Sequence, residues 1–158
     1  MALKIVNADE SHSRKIWEWR NNPITRSFSR NTDKVEWDDH EAWFRNSLDN
    51  KRIFLYIGIN PKSKEDKPIG IIRFNLVDSN HKHYEVSINI APNSREKGFG
   101  NSLLIDGTKK FIKEIDKCIR IYAVVKVDNL PSIKLFTSAG YSLWDIDNNG
   151  FAKYFIDL

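Results

Sequence analysis

Polar side chains alternate with apolar ones along one predicted strand, residues 84–90, where a catalytic group could stand. Its two faces carry Val86, Ile88 and Ile90 on one side and Glu85, Ser87 and Asn89 on the other. A carboxylate such as Glu85 can act as a general base. The pattern fits either the wall of a wet cleft or a sheet face open to solvent. Arg73 and Asn75 interrupt the apolar run of the preceding predicted strand, 68–77, and this favours the cleft.

The loop that follows this strand is a second candidate site. Between the strand and the next predicted helix it carries Arg95, Glu96, Lys97, Gly98, Phe99 and Gly100. Glycines let backbone N–H groups turn toward one point, and a helix N-terminus with two added cations attracts a pyrophosphate. An ordinary turn from strand to helix can have the same composition, so the loop alone leaves both interpretations open.

Composition restricts the partners that the chain can have. The formal charge of the 158 residues is +4, and basic and acidic residues are interspersed, which argues against a dedicated nucleic-acid binder. His81 and His83 have no cysteine or carboxylate at ligand spacing, so no metal site is expected. No segment approaches the ~20 apolar residues of a membrane span, and the start has no apolar region of a secretory signal. We therefore expect a cytoplasmic protein with no membrane partner.

Hydrophobic spacing predicts the elements that would position these groups. Helices are predicted at 10–22, at 36–49, after Gly100 and at 130–139, and strands at Leu3–Ile5, 53–59, 68–77, 83–91, 119–127, 141–147 and 151–157. This order predicts a single α+β domain over residues 1–158. Its core would be one mixed, mostly antiparallel sheet of seven strands flanked by about four helices.

Two motifs on these elements resemble those of the GNAT acyltransferase superfamily. Arg95-x-x-Gly98-x-Gly100 is similar to its acyl-CoA pyrophosphate loop, and the stretch from Asn129 to Tyr141 resembles its second signature. The resemblance implies a GNAT fold and acetyl-CoA, or another acyl-CoA, as co-substrate, with no metal. It also implies the residues of the cofactor side: loop residues 95–100, the backbone of Ile88 and Ile90 for pantetheine, Asn129 for the cofactor arm, and Ser132 and Phe136.

The N-terminal third resembles one branch of this superfamily. Trp17-Glu-Trp-Arg-Asn-Asn22 and Asp39-His-Glu-Ala-Trp-Phe44 look like the enzymes that acylate amino groups on nucleotide-linked deoxysugars, including the pseudaminic-acid pathway N-acetyltransferases. The expected acceptor contacts are Arg20, Asn21, His40, Arg73 and Asn75. Four tryptophans lie on the two predicted helices, and we expect most of them to cover the sheet. His40 could instead cap its helix.

Two departures from the superfamily pattern bear on the mechanism. Many relatives carry a proton-donating tyrosine where this chain has Phe136, and some carry a glutamate where it has Val124. We therefore expect Glu85, directly or through a water, to accept the proton of the attacking amine, and Ser132 or a water to return one to the leaving thiolate. Tyr141 is a competing acid, but we expect it to pack or to hydrogen-bond locally.

Other functions remain open at this level. A protein N-terminal acetyltransferase of the ribosomal-protein type is one alternative, but the basic loop at residues 25–30 favours a nucleotide-sugar substrate. A catalytically silent acyl-CoA-binding module is another, because Phe136 and Val124 replace residues of the superfamily pattern. Nucleic-acid binding has the least support. The sequence allows a homodimer.

Overall fold

The computed structural model describes residues 2–115 and 118–158, which form seven strands and five α-helices around one sheet. The strands are β1 (Lys4–Asn7), β2 (Ile53–Ile59), β3 (Pro68–Asp78), β4 (His83–Ile90), β5 (Arg120–Lys126), β6 (Ser142–Ile146) and β7 (Phe151–Asp157). The helices are α1 (Ser13–Arg20), α2 (Pro23–Ser27), α3 (Trp37–Asp49), α4 (Phe99–Glu114) and α5 (Leu130–Ser138). In the described part of the chain, no helix has both the length and the apolar character that crossing a membrane requires.

The strands are ordered β1-β2-β3-β4-β5-β7-β6, and every neighbouring pair is antiparallel except β4 and β5. The parallel pair is short. It joins His83–Glu85 to Arg120–Tyr122, and beyond Glu85 the two strands have no further paired residues. The sheet therefore opens between β4 and β5 over the second half of both strands.

Helices cover the two faces of the sheet separately. On one face α4 packs its buried residues Leu103, Leu104 and Phe111 against the strands, and α5 packs on β5. The approach of α4 is close at Gly107, where a Cβ atom would lie 2.8 Å from Cγ2 of Ile72. On the other face α1 and α3 bury a second apolar cluster that includes Trp19 and Phe44.

This architecture confirms the predicted α+β fold with its mixed, seven-stranded sheet. Two local predictions were wrong. The segment after Pro23 was expected to be a loop but forms α2, because Pro23 occupies the first turn and Asn22 caps it through Oδ1 to the N–H groups of Ile24 and Thr25. The helix predicted at 10–22 begins as a 3-10 turn over Glu10–His12 and continues as α1.

Candidate active site

The opening between β4 and β5 exposes backbone groups on one edge of β4. The N–H of Ala91 donates to the carbonyl of Ile69, on the side of the β3 partner. Because hydrogen-bonding direction alternates along an antiparallel strand, the backbone groups of Ile88 and Ile90 point the other way, into the opening. This is the edge on which the sequence analysis expected a pantetheine arm to pair.

The loop at residues 95–100 connects the end of β4 to α4. Glu96 has φ +61° and Gly98 has φ +78°, so the chain enters α4 through a left-handed conformation. Gly98 is the N-cap of α4 and supplies no capping side chain, so the first N–H groups of the helix have no intrahelical acceptor. The Phe99 side chain is buried in the core, while Lys97 is exposed and donates to the carbonyl of Asn93 at 3.2 Å. The loop thus has the backbone geometry of an anion site.

The guanidinium of Arg95 forms hydrogen bonds within the protein. Its Nε donates to the carbonyl of Ile90 at 3.2 Å and its Nη2 to Oγ1 of Thr25 at 2.5 Å, and Nη1 lies 3.5 Å from Oδ1 of Asn22. The side chain is therefore directed at α2 and not at the helix N-terminus. Arg95 thus ties the loop at residues 95–100 to α2, and its direct contact with a pyrophosphate stays a prediction.

The second signature lies at the start of α5 and along its inner face. The Asn129 side chain caps α5 by accepting from the N–H of Ser132 at 3.4 Å, and the Ser132 side chain is half-buried in the first turn. Phe136 is 4% exposed and belongs to the main core cluster. Leu135, beside it, and Ile90 of β4 both approach Gly100, since a Cβ there would lie 3.8 Å and 3.9 Å from them. The helix α5 therefore reaches across to the β4 side of the opening.

On the opposite side of the sheet, Glu85 lies under the loop that follows α2. Its side chain is 14% exposed and accepts from Nη2 of Arg30 at 2.6 Å. Asn75 of β3 and Tyr122 of β5 are its register partners on either side. Burial and the Glu85 charge both raise the pKa of Tyr122. Glu85 therefore lies where β4 and β5 separate, and its carboxylate is paired with Arg30.

Arg73 interacts electrostatically with this carboxylate and with two other arginines, Arg30 and Arg20. Burial is the main cause that lowers the pKa of Arg73. The negative charge of Glu85 opposes this shift, and the positive charges of Arg30 and Arg20 add to it. Burial and the neighbouring Arg26 lower the pKa of Arg20 in the same way. Nε of Arg73 and Nη1 of Arg20 are buried and have no hydrogen-bond partner among the described residues. Three guanidinium groups, on Arg20, Arg30 and Arg73, thus accompany one carboxylate.

Two residues that were predicted to contact the acceptor form hydrogen bonds within the protein. Asn21 braces the loop before α3, because its side-chain amide donates to the carbonyl of Val35 at 2.9 Å and its carbonyl accepts from the N–H of Val35 at 2.8 Å. His40 is 3% exposed, and its Nε2 lies 3.1 Å from Oγ and 2.9 Å from the carbonyl of Ser13. Nor does His40 cap α3, whose N-cap is Glu36. Both side chains form hydrogen bonds within the fold, and their contact with an acceptor stays a prediction.

Sequence reasoning missed two residues of this region. Arg30 was noted only as part of a basic loop, and its ion pair with Glu85 spans 55 residues, so no local pattern marks it. Most of the four tryptophans were expected to cover the sheet, but the Trp43 ring is 38% exposed and its centroid lies 5.7 Å from the guanidinium carbon of Arg73. Of the four tryptophans on α1 and α3, only Trp19 is fully buried. An aromatic face beside a buried arginine is thus available at the acceptor side.

Comparisons with known proteins agree with this arrangement. The model of the acetyltransferase (GNAT) family matches residues 14–141. The chain is 28% identical over 152 residues to a Campylobacter jejuni protein, acetyltransferase PseH, covering 93% of this chain and 89% of that protein.

Solved structures share the fold at lower identity. Spermidine N-acetyltransferase from Vibrio cholerae, in complex with CoA and spermine, superposes with a TM-score of 0.82 at 18% identity, over 98% of this chain and 95% of that one. The acetyltransferase yncA of Salmonella typhimurium, with acetyl-CoA, superposes with a TM-score of 0.81 at 18% identity, over 100% and 95% of the two chains.

Proposed function

Since the chain belongs to the GNAT acetyltransferase family and is an acyl-CoA-dependent acetyltransferase, we propose that its acceptor is the amino group of a nucleotide-linked amino sugar. The similarity to PseH over most of the chain supports this choice. Acetyl-CoA would enter on the side of α4 and α5, and the acceptor on the side of α1 and α2.

One observation carries the proposal: Arg73 lies within electrostatic reach of Glu85, Arg30 and Arg20, and two guanidinium nitrogens of this group, on Arg20 and Arg73, are buried with no partner among the described residues. A guanidinium presents its donors in a fork that matches the oxygens of a phosphate. Arg20 and Arg73 would bind the diphosphate of the acceptor, and the exposed Trp43 offers a flat face for its base. The amino group would then lie near Glu85.

The chemistry on the protein side follows from Glu85. The amine nitrogen attacks the thioester carbonyl, and Glu85 accepts the proton that this nitrogen loses. Arg30 donates to Oε1 of Glu85 at 2.6 Å, so Oε2 is the oxygen that would accept the proton. The Arg30 side chain is 62% exposed and lies on a loop, so it can also shift when the acceptor binds.

The cofactor side would use mainly backbone groups. Pantetheine would pair with Ile88 and Ile90, and the pyrophosphate would accept from the N–H groups around Gly98 and Gly100. Lys97 is exposed and can add a charge. Arg95 would act indirectly, by holding α2 against the end of β4.

Charge distinguishes this acceptor from the other candidates. A polyamine such as that of the Vibrio enzyme, or a basic ribosomal N-terminus, would favour an acidic cleft. Here three arginines accompany a single glutamate. A polycation would therefore meet repulsion at the same place where a nucleoside diphosphate finds donors.

The test is mass spectrometry of the purified protein with acetyl-CoA and a panel of UDP- and dTDP-linked amino sugars. The panel also includes the corresponding free amino sugars, spermidine and a basic N-terminal peptide. We expect a mass gain of one acetyl group on a nucleotide-linked sugar and a much slower reaction with the matching free sugar. Acetylation of spermidine or of the peptide, with none of the nucleotide sugars, would contradict the proposal.

A further inference from the structure

An exposed arginine is paired with the carboxylate proposed to receive the proton of the amine. Nη2 of Arg30 donates to Oε1 of Glu85 at 2.6 Å, and Arg30 has no other hydrogen bond or ion pair with the described residues. The Glu85 side chain is 14% exposed and lies on β4, whereas the Arg30 side chain is 62% exposed and lies between α2 and α3. A largely exposed ion pair adds little to stability, so the guanidinium can leave the carboxylate easily.

The backbone that carries Arg30 is held close to a second arginine. Nη2 of Arg20 donates to the carbonyl of Asn31, the next residue after Arg30, at 2.9 Å. Nη1 of Arg20 is buried and has no hydrogen-bond partner among the described residues. Burial lowers the pKa of Arg73, and the charges of Arg30 and Arg20 add to this shift. The three guanidinium groups therefore lie within electrostatic reach of one another.

A diphosphate bound among these arginines would compete with Glu85 for Arg30. The Arg30–Glu85 pair joins one guanidinium nitrogen to one carboxylate oxygen. A guanidinium and a phosphate can instead form two parallel hydrogen bonds, and a diphosphate carries more negative charge than a carboxylate. Of the three arginines, Arg30 is the one whose side chain is largely exposed, so its contact is the one that can change.

The position of Arg30 also affects what Glu85 can do in the reaction. The amine nitrogen gains positive charge as it attacks the thioester, and a carboxylate beside it stabilises that charge. A guanidinium on the same carboxylate opposes this effect by repulsion. When Arg30 leaves Oε1, the negative charge of Glu85 is available to the attacking nitrogen.

We propose that Arg30 is a specificity-determining residue that leaves Glu85 and binds the diphosphate when a nucleotide-linked acceptor enters. The inference rests on the proposed function and gives it a reason why the free sugar reacts slowly. A free amino sugar has no phosphate, so Arg30 stays on Glu85 and compensates its charge. Recognition of the nucleotide thereby releases the carboxylate for the reaction.

The first test compares a nucleotide-linked amino sugar with the matching free sugar in steady-state kinetics. Arg30→Met should lower kcat/KM for the nucleotide-linked sugar about tenfold, because one charged contact with the phosphate is lost. It should raise kcat/KM for the free sugar about 2- to 5-fold, as expected when a weak ion pair no longer competes. The preference for the nucleotide-linked sugar should therefore fall by more than either change alone.

Two further variants control this comparison. Arg30→Lys keeps the charge without the fork of donors, so its preference for the nucleotide-linked sugar should lie between those of the wild type and Arg30→Met. Arg45→Met removes an exposed arginine that pairs with Glu41, and it should leave both kcat/KM values unchanged. The unfolding midpoint of Arg30→Met should stay near that of the wild type, because its side chain is largely exposed.

The second test needs no acetyl transfer. Titration calorimetry measures the Kd of UDP and of dTDP for the wild type, Arg30→Met, Glu85→Gln and the double variant. Arg30→Met should weaken nucleotide binding about tenfold. Glu85→Gln should strengthen it about 2- to 5-fold, because Arg30 no longer has to leave a carboxylate. In the Arg30→Met background, Glu85→Gln should have a smaller effect.

Any of three results would overturn the inference. They are an unchanged preference between the two acceptors in Arg30→Met, a nucleotide Kd that does not depend on Arg30, or an equal effect of Glu85→Gln in both backgrounds. A lowered unfolding midpoint with equal losses for both acceptors would make Arg30 structural and also overturn it. If no nucleotide-linked sugar is acetylated, the proposed acceptor fails. Calorimetry then decides the role of Arg30, and an absence of nucleotide binding overturns that role as well.

Discussion

Replacing Arg73 with methionine should make the protein more stable and a poorer enzyme at the same time. Arg73 lies on β3 with its Nε buried and unpaired among the described residues, close to Glu85 but also to Arg20 and Arg30. Methionine keeps the length and apolar character of the stem and removes the charge. The change therefore separates the cost of burying the guanidinium from its use in binding.

Both effects have magnitudes that can be estimated. An unpaired buried polar group costs ~1–3 kcal/mol, and relieving it should raise the midpoint of thermal unfolding by about 2–4 °C for each kcal/mol in a domain of this size. The attraction to Glu85 that is lost is offset by the repulsion from Arg20 and Arg30 that is also lost. A charged hydrogen bond to a phosphate contributes ~1.5–3 kcal/mol, so the KM of the acceptor should rise about 10- to 100-fold.

The assays are thermal unfolding without ligands and steady-state kinetics with each substrate varied. The KM of acetyl-CoA should stay near its wild-type value, because Arg73 lies on the acceptor side of the sheet. Arg45→Met is the matched control: this arginine is exposed and pairs with Glu41 one turn away, so both readouts should stay unchanged.

A lower unfolding midpoint for Arg73→Met with an unchanged acceptor KM would refute the reasoning. Arg73 would then be held by interactions within the protein, and the acceptor would bind elsewhere. A rise in both KM values would show instead that the variant disturbs the sheet around the β4–β5 opening.

Three further predictions test the other parts of the site. Gly98→Val should weaken CoA binding about tenfold or more in titration calorimetry, because a β-branched residue resists φ +78° and its side chain would crowd the pyrophosphate, whereas Gly98→Asn should be milder. Glu85→Gln should lower kcat by ~10²–10⁴ in steady-state kinetics, and Glu65→Gln in the exposed β2–β3 loop should leave kcat unchanged. Burial lowers the pKa of His40 in the folded state. The free energy of unfolding should therefore fall as the pH drops below the pKa of an unfolded histidine, ~6.5, by at most ~1.4 kcal/mol per pH unit. Urea unfolding of His40→Phe should lack this pH dependence.

The order of elements could be predicted from the sequence because element type depends on local periodicity. Alternation along 53–59, 68–77 and 83–91 matches β2, β3 and β4, and the stripe through Leu103, Gly107 and Phe111 matches the buried face of α4. The turn into α4 was predictable for the same reason, since left-handed turns and helix N-termini require particular residues within a few positions.

The direction of long charged side chains could not be predicted in this way. The Arg95 contact with Thr25 spans 70 residues and the Arg30 contact with Glu85 spans 55. Neither partner leaves a signal near the arginine, because a flexible side chain takes the rotamer that its distant neighbours stabilise. The contact of Arg95 with Thr25 was therefore not predicted from the sequence.

The sequence by itself determined which residues form the sheet, where the chain turns into α4, and that polar groups on β3 and β4 share one face. Tertiary structure alone decided that Asn21 and His40 form their hydrogen bonds inside the fold and that Arg30 pairs with Glu85. It also decided that the Tyr141 hydroxyl has no partner among the described residues. The physical reason is that periodicity acts over a few residues. Whether a polar group is satisfied depends instead on what α1, α2 and α5 bring against it from elsewhere in the chain.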